Sequence, residues 1–198
     1  EDSFLTAKFT VSLGGQEEEL FLTGVFDGHG GAACAQFSSQ QIERMLKSNL
    51  EKYNEEQKTD ENIWNAITQT FVQLSEEFKQ NEGPDAQEQA GTTANIVLRI
   101  GRSEMWLASA GDSRAVVFGP DVKVLQMSED TDFRDEEYRQ RVIDYGGRID
   151  FDELYQPRVF GRLNMPIAIG NRWANGAISA RPSIIKLSSD NHPNLEGL

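Results

Sequence analysis

Asp27-Gly28-His29 sets a carboxylate, a residue without a side chain and an imidazole in consecutive positions. They stand at the end of the apolar run Leu20-Phe21-Leu22-Thr23-Gly24-Val25-Phe26 and just before Gly30-Gly31. A carboxylate can give one oxygen to each of two cations, and the Gly28 carbonyl can approach a cation closely because nothing shields it. An imidazole titrates near ~6.5 when unperturbed, which suits a group that donates or accepts a proton at neutral pH. The combination reads as divalent-metal chemistry with a proton carrier beside it. On this stretch alone a second reading stands too: a tight turn whose Asp caps the next helix and whose His is only solvated.

The elements that would position these groups can be read in order. Leu5–Leu13 and Glu19–Phe26 form two strand-like runs joined by the turn Gly14-Gly15-Gln16. A hairpin brings the start of one strand beside the end of the other, so Glu1 and Asp2 emerge at the same sheet edge as Asp27. Three adjacent carboxylates repel one another, and such clusters ordinarily hold cations. A helix follows from Gly31 to Tyr53, with Phe37, Ile42, Met45, Leu46, Leu50 and Tyr53 as its apolar stripe. A second runs over Glu61–Gln80, where Ile63, Ile67, Phe71, Leu74 and Phe78 recur at helical spacing.

After the polar loop Asn81–Ala90, two hairpins are predicted. One joins Thr92–Ile100 to Glu104–Ala110 across Gly101-Arg102-Ser103. The other joins Ala115–Phe118 to Val122–Leu125 across Gly119-Pro120-Asp121. Between them, Gly111-Asp112-Ser113-Arg114 reads as a tight corner closed by an internal Asp–Arg pair. Arg134–Tyr145 is a third helix, stopped by Gly146-Gly147. Beyond Arg148 the pattern fades, with Arg181–Leu187 the one further strand and His192 a loop residue.

Composition narrows the function classes. The 198 residues carry 38% apolar side chains and a formal net charge of −13. The length and apolar content fit one globular domain. So acidic a surface repels nucleic acid and anionic membranes, and would repel a phosphorylated substrate unless cations intervene. With a single cysteine, Cys34, neither a disulfide framework nor a zinc cluster is expected, and Cys34 reads as a small buried side chain. No run spans a bilayer. The expectation is an intracellular protein, cytoplasmic or nuclear, that binds neither nucleic acid nor membrane; its oligomeric state is left open.

At this point the residues resemble a known family. Val25-Phe26-Asp27-Gly28-His29-Gly30-Gly31 is similar to the signature of the metal-dependent protein serine/threonine phosphatases (type 2C). Glu1-Asp2, Gly91-Thr92-Thr93-Ala94, Ala110-Gly111-Asp112-Ser113-Arg114-Ala115, Asp130, the helix containing Arg141 and Gly146-Gly147 follow in the family's order. The resemblance implies an α+β fold, a four-layer α-β-β-α sandwich with two central, mainly antiparallel sheets. It implies hydrolysis of phosphoserine and phosphothreonine in phosphoprotein substrates, with two Mn²⁺ or Mg²⁺ ions and a third, weaker site. Carried over, Asp27 would bridge two metals, Glu1 and the Gly28 carbonyl would hold one of them, and Asp130 would serve the third. Asp2 would orient metal-bound water, and His29 would protonate the leaving alkoxide.

The resemblance also has departures. Residues 1–198 would be a single phosphatase-like domain lacking the family's first residues, with their phosphate-binding arginine, and its C-terminal portion, with two further metal-binding aspartates. Asp190-Asn191 shares only a dipeptide with one of those motifs. In Leu163-Asn164-Met165-Pro166-Ile167-Ala168-Ile169-Gly170-Asn171, Pro166, Ile167 and Asn171 replace the family's serine, arginine and aspartate. The alternative to an enzyme is therefore a pseudophosphatase of the same fold acting as a binding or scaffold module.

Overall fold

A computed structural model describes residues 1–81, 89–102, 104–119 and 124–188. In chain order the elements are β1 (Ser3–Leu13), β2 (Gln16–Phe26), β3 (Gly28–His29), α1 (Ala33–Tyr53), α2 (Asp60–Asn81), β4 (Gly91–Thr92), β5 (Ala94–Ile100) and β6 (Glu104–Ala110). β7 (Val116–Phe118), β8 (Val124–Met127), α3 (Glu136–Asp144), β9 (Ile149–Phe151), β10 (Pro157–Val159), β11 (Ile169–Gly170) and β12 (Ser183–Ser188) complete the order. The predicted hairpins and the three helices are present, with ends shifted by up to three residues; the largest shift is in β2, which starts at Gln16 rather than Glu19. The turn residues Ser103, Pro120 and Asp121, the strand start Val122, and Asp190, Asn191 and His192 lie outside the described residues.

The central sheet has the order β1-β2-β5-β6-β12 and is antiparallel throughout. Alternation decides its faces. Leu20, Leu22 and Phe26 of β2, and Ile96, Leu98 and Ile100 of β5, point to one side and are buried under α1 and α2. The helices answer with the stripes read from sequence: Ile63, Ile67, Phe71, Leu74 and Phe78 of α2 are all fully buried, each contributing about 2 kcal/mol of hydrophobic stabilisation. Cys34 is buried in the same core.

The other face of the sheet packs Val97, Met105, Leu107, Ile185 and Leu187 against Val117 and Leu125 of the β7–β8 hairpin. Helices, sheet and second sheet layer thus stack in the expected order. A satellite cluster of Phe133, Val142, Val159, Leu163, Met165 and Ile178 gathers α3, the β9–β10 hairpin and the chain leading to β11. No described helix is long and apolar enough to cross a membrane.

Candidate active site

Register builds the site. β1 pairs with β2 so that Ser3 faces Phe26; one step further out along the ladder, Asp2 meets Asp27, and the next step brings Glu1 to Gly28. The approach is so close that a methyl group at Gly28 would lie 2.7 Å from the Glu1 carbonyl oxygen. The Glu1 carboxylate accepts from the Gly31 backbone N–H at 3.2 Å. Asp27 sits at the exposed lip of this edge. Its carboxyl is held above its ordinary value of 3.8 by partial burial first, then by the Asp2 carboxylate within hydrogen-bonding reach and by Asp112; His29 pulls the other way.

Two neighbouring motifs hold Asp27 through its backbone. Its N–H donates to Thr93 Oγ1 at 3.0 Å, and its carbonyl accepts from the Thr93 N–H at 2.9 Å and the Thr92 hydroxyl at 3.1 Å. Thr93 Oγ1 also meets Ser113 Oγ at 2.8 Å. Asn95 Nδ2 fastens the following corner by donating to the Ser113 carbonyl, Ser109 Oγ and Ser128 Oγ. The segments Gly91–Ala94 and Gly111–Arg114 are therefore the bracket of the Asp27 corner.

His29 extends beside Gly91 in the β3–β4 pairing, and a methyl at Gly91 would sit 2.4 Å from His29 Nε2. That nitrogen lies 2.8 Å from Asn171 Oδ1, while Asn171 Nδ2 donates to the Ile169 carbonyl at 3.2 Å. With the amide's donor end engaged, its oxygen faces the ring, so His29 carries its hydrogen on Nε2 and presents Nδ1 for proton exchange. Asn171 is buried and adopts a left-handed backbone, φ 56°.

The structure thus brings Glu1, Asp2, Asp27, Gly28 and His29 to one edge. Asp130 is differently engaged: Arg114 grips both its oxygens, Nε to Oδ1 at 3.0 Å and Nη2 to Oδ2. The internal Asp–Arg pair expected within Gly111–Arg114 is therefore not formed. Arg114 turns to Asp130 instead, and Asp112 faces Asp27. The sequence reading missed Asp112 as a site residue, although its own hairpin held the signal. β5 starts beside the end of β2, and β6 ends beside the start of β5, with Ala94 opposite Ala110, so whatever follows β6 emerges at the Asp27 edge. Ile167, where the family has arginine, is buried in the main core and presents no cation.

The donor set is carboxylate and carbonyl oxygen, which suits hard divalent cations, and the repulsion that adds to burial in lifting Asp27 is what such ions would relieve. Among the described residues no three carboxylate, imidazole or thiol groups close into a ready-made cage; the site is an open cluster along the sheet edge.

Comparison with known proteins agrees with this architecture. The family profile described as "Protein phosphatase 2C" matches residues 1–194. A rice protein named "Probable protein phosphatase 2C 55" is 34% identical over 175 residues, 88% of this chain and 43% of that protein. The Xenopus laevis "Protein phosphatase 1K, mitochondrial" is 29% identical over 174 residues, 86% and 43% of the two chains. The chain spans about half the length of the curated relatives it matches. Among solved structures, a serine-threonine phosphatase 2C from Toxoplasma gondii superposes with TM-score 0.67 at 16% identity, over 93% of this chain and 73% of that one. A C. elegans sex determining protein gives 0.70 at 20%, over 95% and 48%. These likenesses establish the α-β-β-α sandwich fold.

Proposed function

The chain belongs to the protein phosphatase 2C family, and on that premise we propose that it serves the hydrolysis of phosphoserine and phosphothreonine in phosphoproteins with Mn²⁺ or Mg²⁺. The single observation that carries the reading is the gathering of Asp2 and Asp112 about Asp27 at one edge, where their charges add to burial in making Asp27 resist ionisation. Carboxylates set against one another in this way suit cation binding.

Glu1, Asp27 and the Gly28 carbonyl would hold the ions. When bound, the ions lower the pKa of water and neutralise phosphate charge. Asp2 orients the attacking water. Protonated at both ring nitrogens and held through Nε2 by Asn171, His29 would give its Nδ1 proton to the serine or threonine alkoxide, a poor leaving group without one, and be left as the Nε2–H imidazole. A serine or threonine phosphoester needs no thiol nucleophile here, and the Cys34 thiol is buried, facing the Ile169 carbonyl.

One observation favours the scaffold reading: the Arg114–Asp130 pair occupies the carboxylate proposed for a third metal. The test is hydrolysis of an aryl phosphate by the full-length protein with and without Mn²⁺, joined to calorimetric titration of the ion. Mn²⁺-dependent turnover that Asp27→Asn removes supports the enzyme. Absence of both turnover and heat of binding leaves the scaffold.

A further inference from the structure

Beside the acidic edge lies a cleft of opposite character. Gln89, Arg148, Phe160, Arg162 and Trp173 line an open volume of about 450 Å³. Phe160 and Trp173 meet edge to face at 6.0 Å, and the Arg162 guanidinium lies over the Trp173 ring at 5.2 Å. A guanidinium stacked in this way keeps its in-plane N–H groups for an anion. Arg162 Nη1 donates to Gln89 Oε1 at 3.2 Å, a neutral partner, and among the described residues it meets no carboxylate. Arg148 gives its Nε to Asp150, at 2.8 Å to Oδ2, which leaves its terminal nitrogens. Arg158, close by, is tied to Asp152 and the Arg162 carbonyl. Among the described residues, the charged side chains that line the cleft are the cations Arg148 and Arg162, with Asp150 beside Arg148, so in a chain of net charge −13 the cleft favours negative ligands.

The cleft adjoins the catalytic corner: a methyl at Gly30 would sit 2.3 Å from the Gln89 carbonyl oxygen. Gln89 is two residues before Gly91, on which the His29 ring rests, and Trp173 is two residues after Asn171, which holds that ring. Two residues of chain span at most about 7 Å. An extended peptide bound at His29 therefore brings a side chain two or three positions from its phosphoresidue over this cleft.

We propose that the Arg148–Arg162–Trp173 cleft is a substrate subsite for a second anionic side chain, two or three residues from the phosphoserine or phosphothreonine. The inference deepens the phosphatase reading and rests on it for the placement of the peptide. A carboxylate and a second phosphate share the required chemistry, and the test separates them.

The test measures binding apart from turnover. Fluorescent peptides carry a non-hydrolysable phosphonate at the central position and, two or three residues to either side, alanine, glutamate or a second phosphonate. Anisotropy with the full-length protein and Mn²⁺ reads their affinities. The expected result is about five- to twentyfold tighter binding for an anionic flank, weakening as salt rises. The preference collapses in the Arg148→Gln/Arg162→Gln double variant, and Arg162→Lys keeps part of it. A larger gain for phosphonate than for glutamate assigns the cleft to a second phosphate; equal gains assign it to any anion. Equal affinity for all three peptides overturns the proposal, as does a preference that survives in the double variant. Turnover of an aryl phosphate, measured alongside, separates the two readings. Turnover without a flank preference removes only the subsite, and a flank preference without turnover removes only the hydrolase.

Discussion

The edge around Asp27 and the satellite region from Arg148 to Trp173 meet at His29, but they are built differently. At the edge, strands of seven to eleven residues in fixed register deliver Asp2, Asp27 and Asp112, and a core of fully buried side chains backs them. The satellite region has strands of two or three residues. Its turns pass through left-handed backbone at Tyr155, Phe160, Asn171 and Asn175, none of them glycine, and its cluster is small. The difference teaches a division of labour. On the proposed function, groups that must be held to fractions of an ångström stand on the rigid sheet, and the proposed subsite for a variable ligand stands on short, irregular chain.

The largest expected effect tests the edge. Asp27→Asn removes several kcal/mol of transition-state charge stabilisation, so kcat falls by about a thousandfold. The same change relieves repulsion from Asp2 and Asp112, so the metal-free protein melts higher, by about 2 °C. The sign carries to pH. The folded state keeps the Asp27 proton more tightly than the unfolded chain does, so the contribution of Asp27 to metal-free stability falls as pH rises above 3.8 through the carboxylate range. Asp27→Asn flattens that fall. Steady-state kinetics and melting curves in chelator, taken across pH 3.5–6.5, check all three, and a lower melting temperature would break the comparison at its stronger side.

Next comes packing. Phe71→Ala empties a fully buried site under the sheet and costs about 3–5 kcal/mol, read as loss of the whole folding transition in denaturant. Val142→Ala, in the satellite cluster, costs about 1–2 kcal/mol and is read as faster amide exchange confined to residues 133–178. Equal and global effects from both would erase the distinction.

A middle-sized effect lies where the two regions join. Asn171→Gly keeps the left-handed backbone but loses the amide that faces His29 Nε2, and kcat drops by about tenfold with KM little changed. Asn171→Asp, which retains an acceptor oxygen, recovers most of it. The ¹⁵N shifts of the His29 ring report the cause, moving from an Nε2-protonated pattern to a mixture of tautomers in Asn171→Gly.

What the sequence showed follows the same divide. Long periodic segments announced themselves: the α2 stripe from Ile63 to Phe78, and the hairpin whose register puts Asp2 opposite Asp27. Local motifs put Gly28 and His29 just past the end of the second strand, where the structure has them. Partner choice was harder to read. Arg114 reaches sixteen residues along the chain to Asp130 in preference to its near neighbour Asp112, because β8 returns beside β7 and brings Asp130 back to the corner. His29 is held from Asn171, a separation of 142 residues. The segment after Arg148 had no period because two- and three-residue strands have no room for one, and nothing in residue type marks Phe160 or Tyr155 as left-handed.

The smallest effect concerns that same long-range pair. Arg114 is mostly exposed and Asp130 partly so, with side-chain exposures of 51% and 28%; breaking so solvated a contact by Arg114→Gln changes the melting temperature little. Its consequence is instead electrostatic. Freed of its guanidinium, Asp130 offers both oxygens to a cation, so if it serves a third ion, the weakest Mn²⁺ step in a calorimetric titration tightens by about two- to fivefold. Asp130→Asn then cancels the gain. A titration identical in wild type and both variants takes Asp130 out of the metal site and leaves it as the anchor that turns Arg114 away from Asp112, which is the contact that keeps the acidic edge acidic.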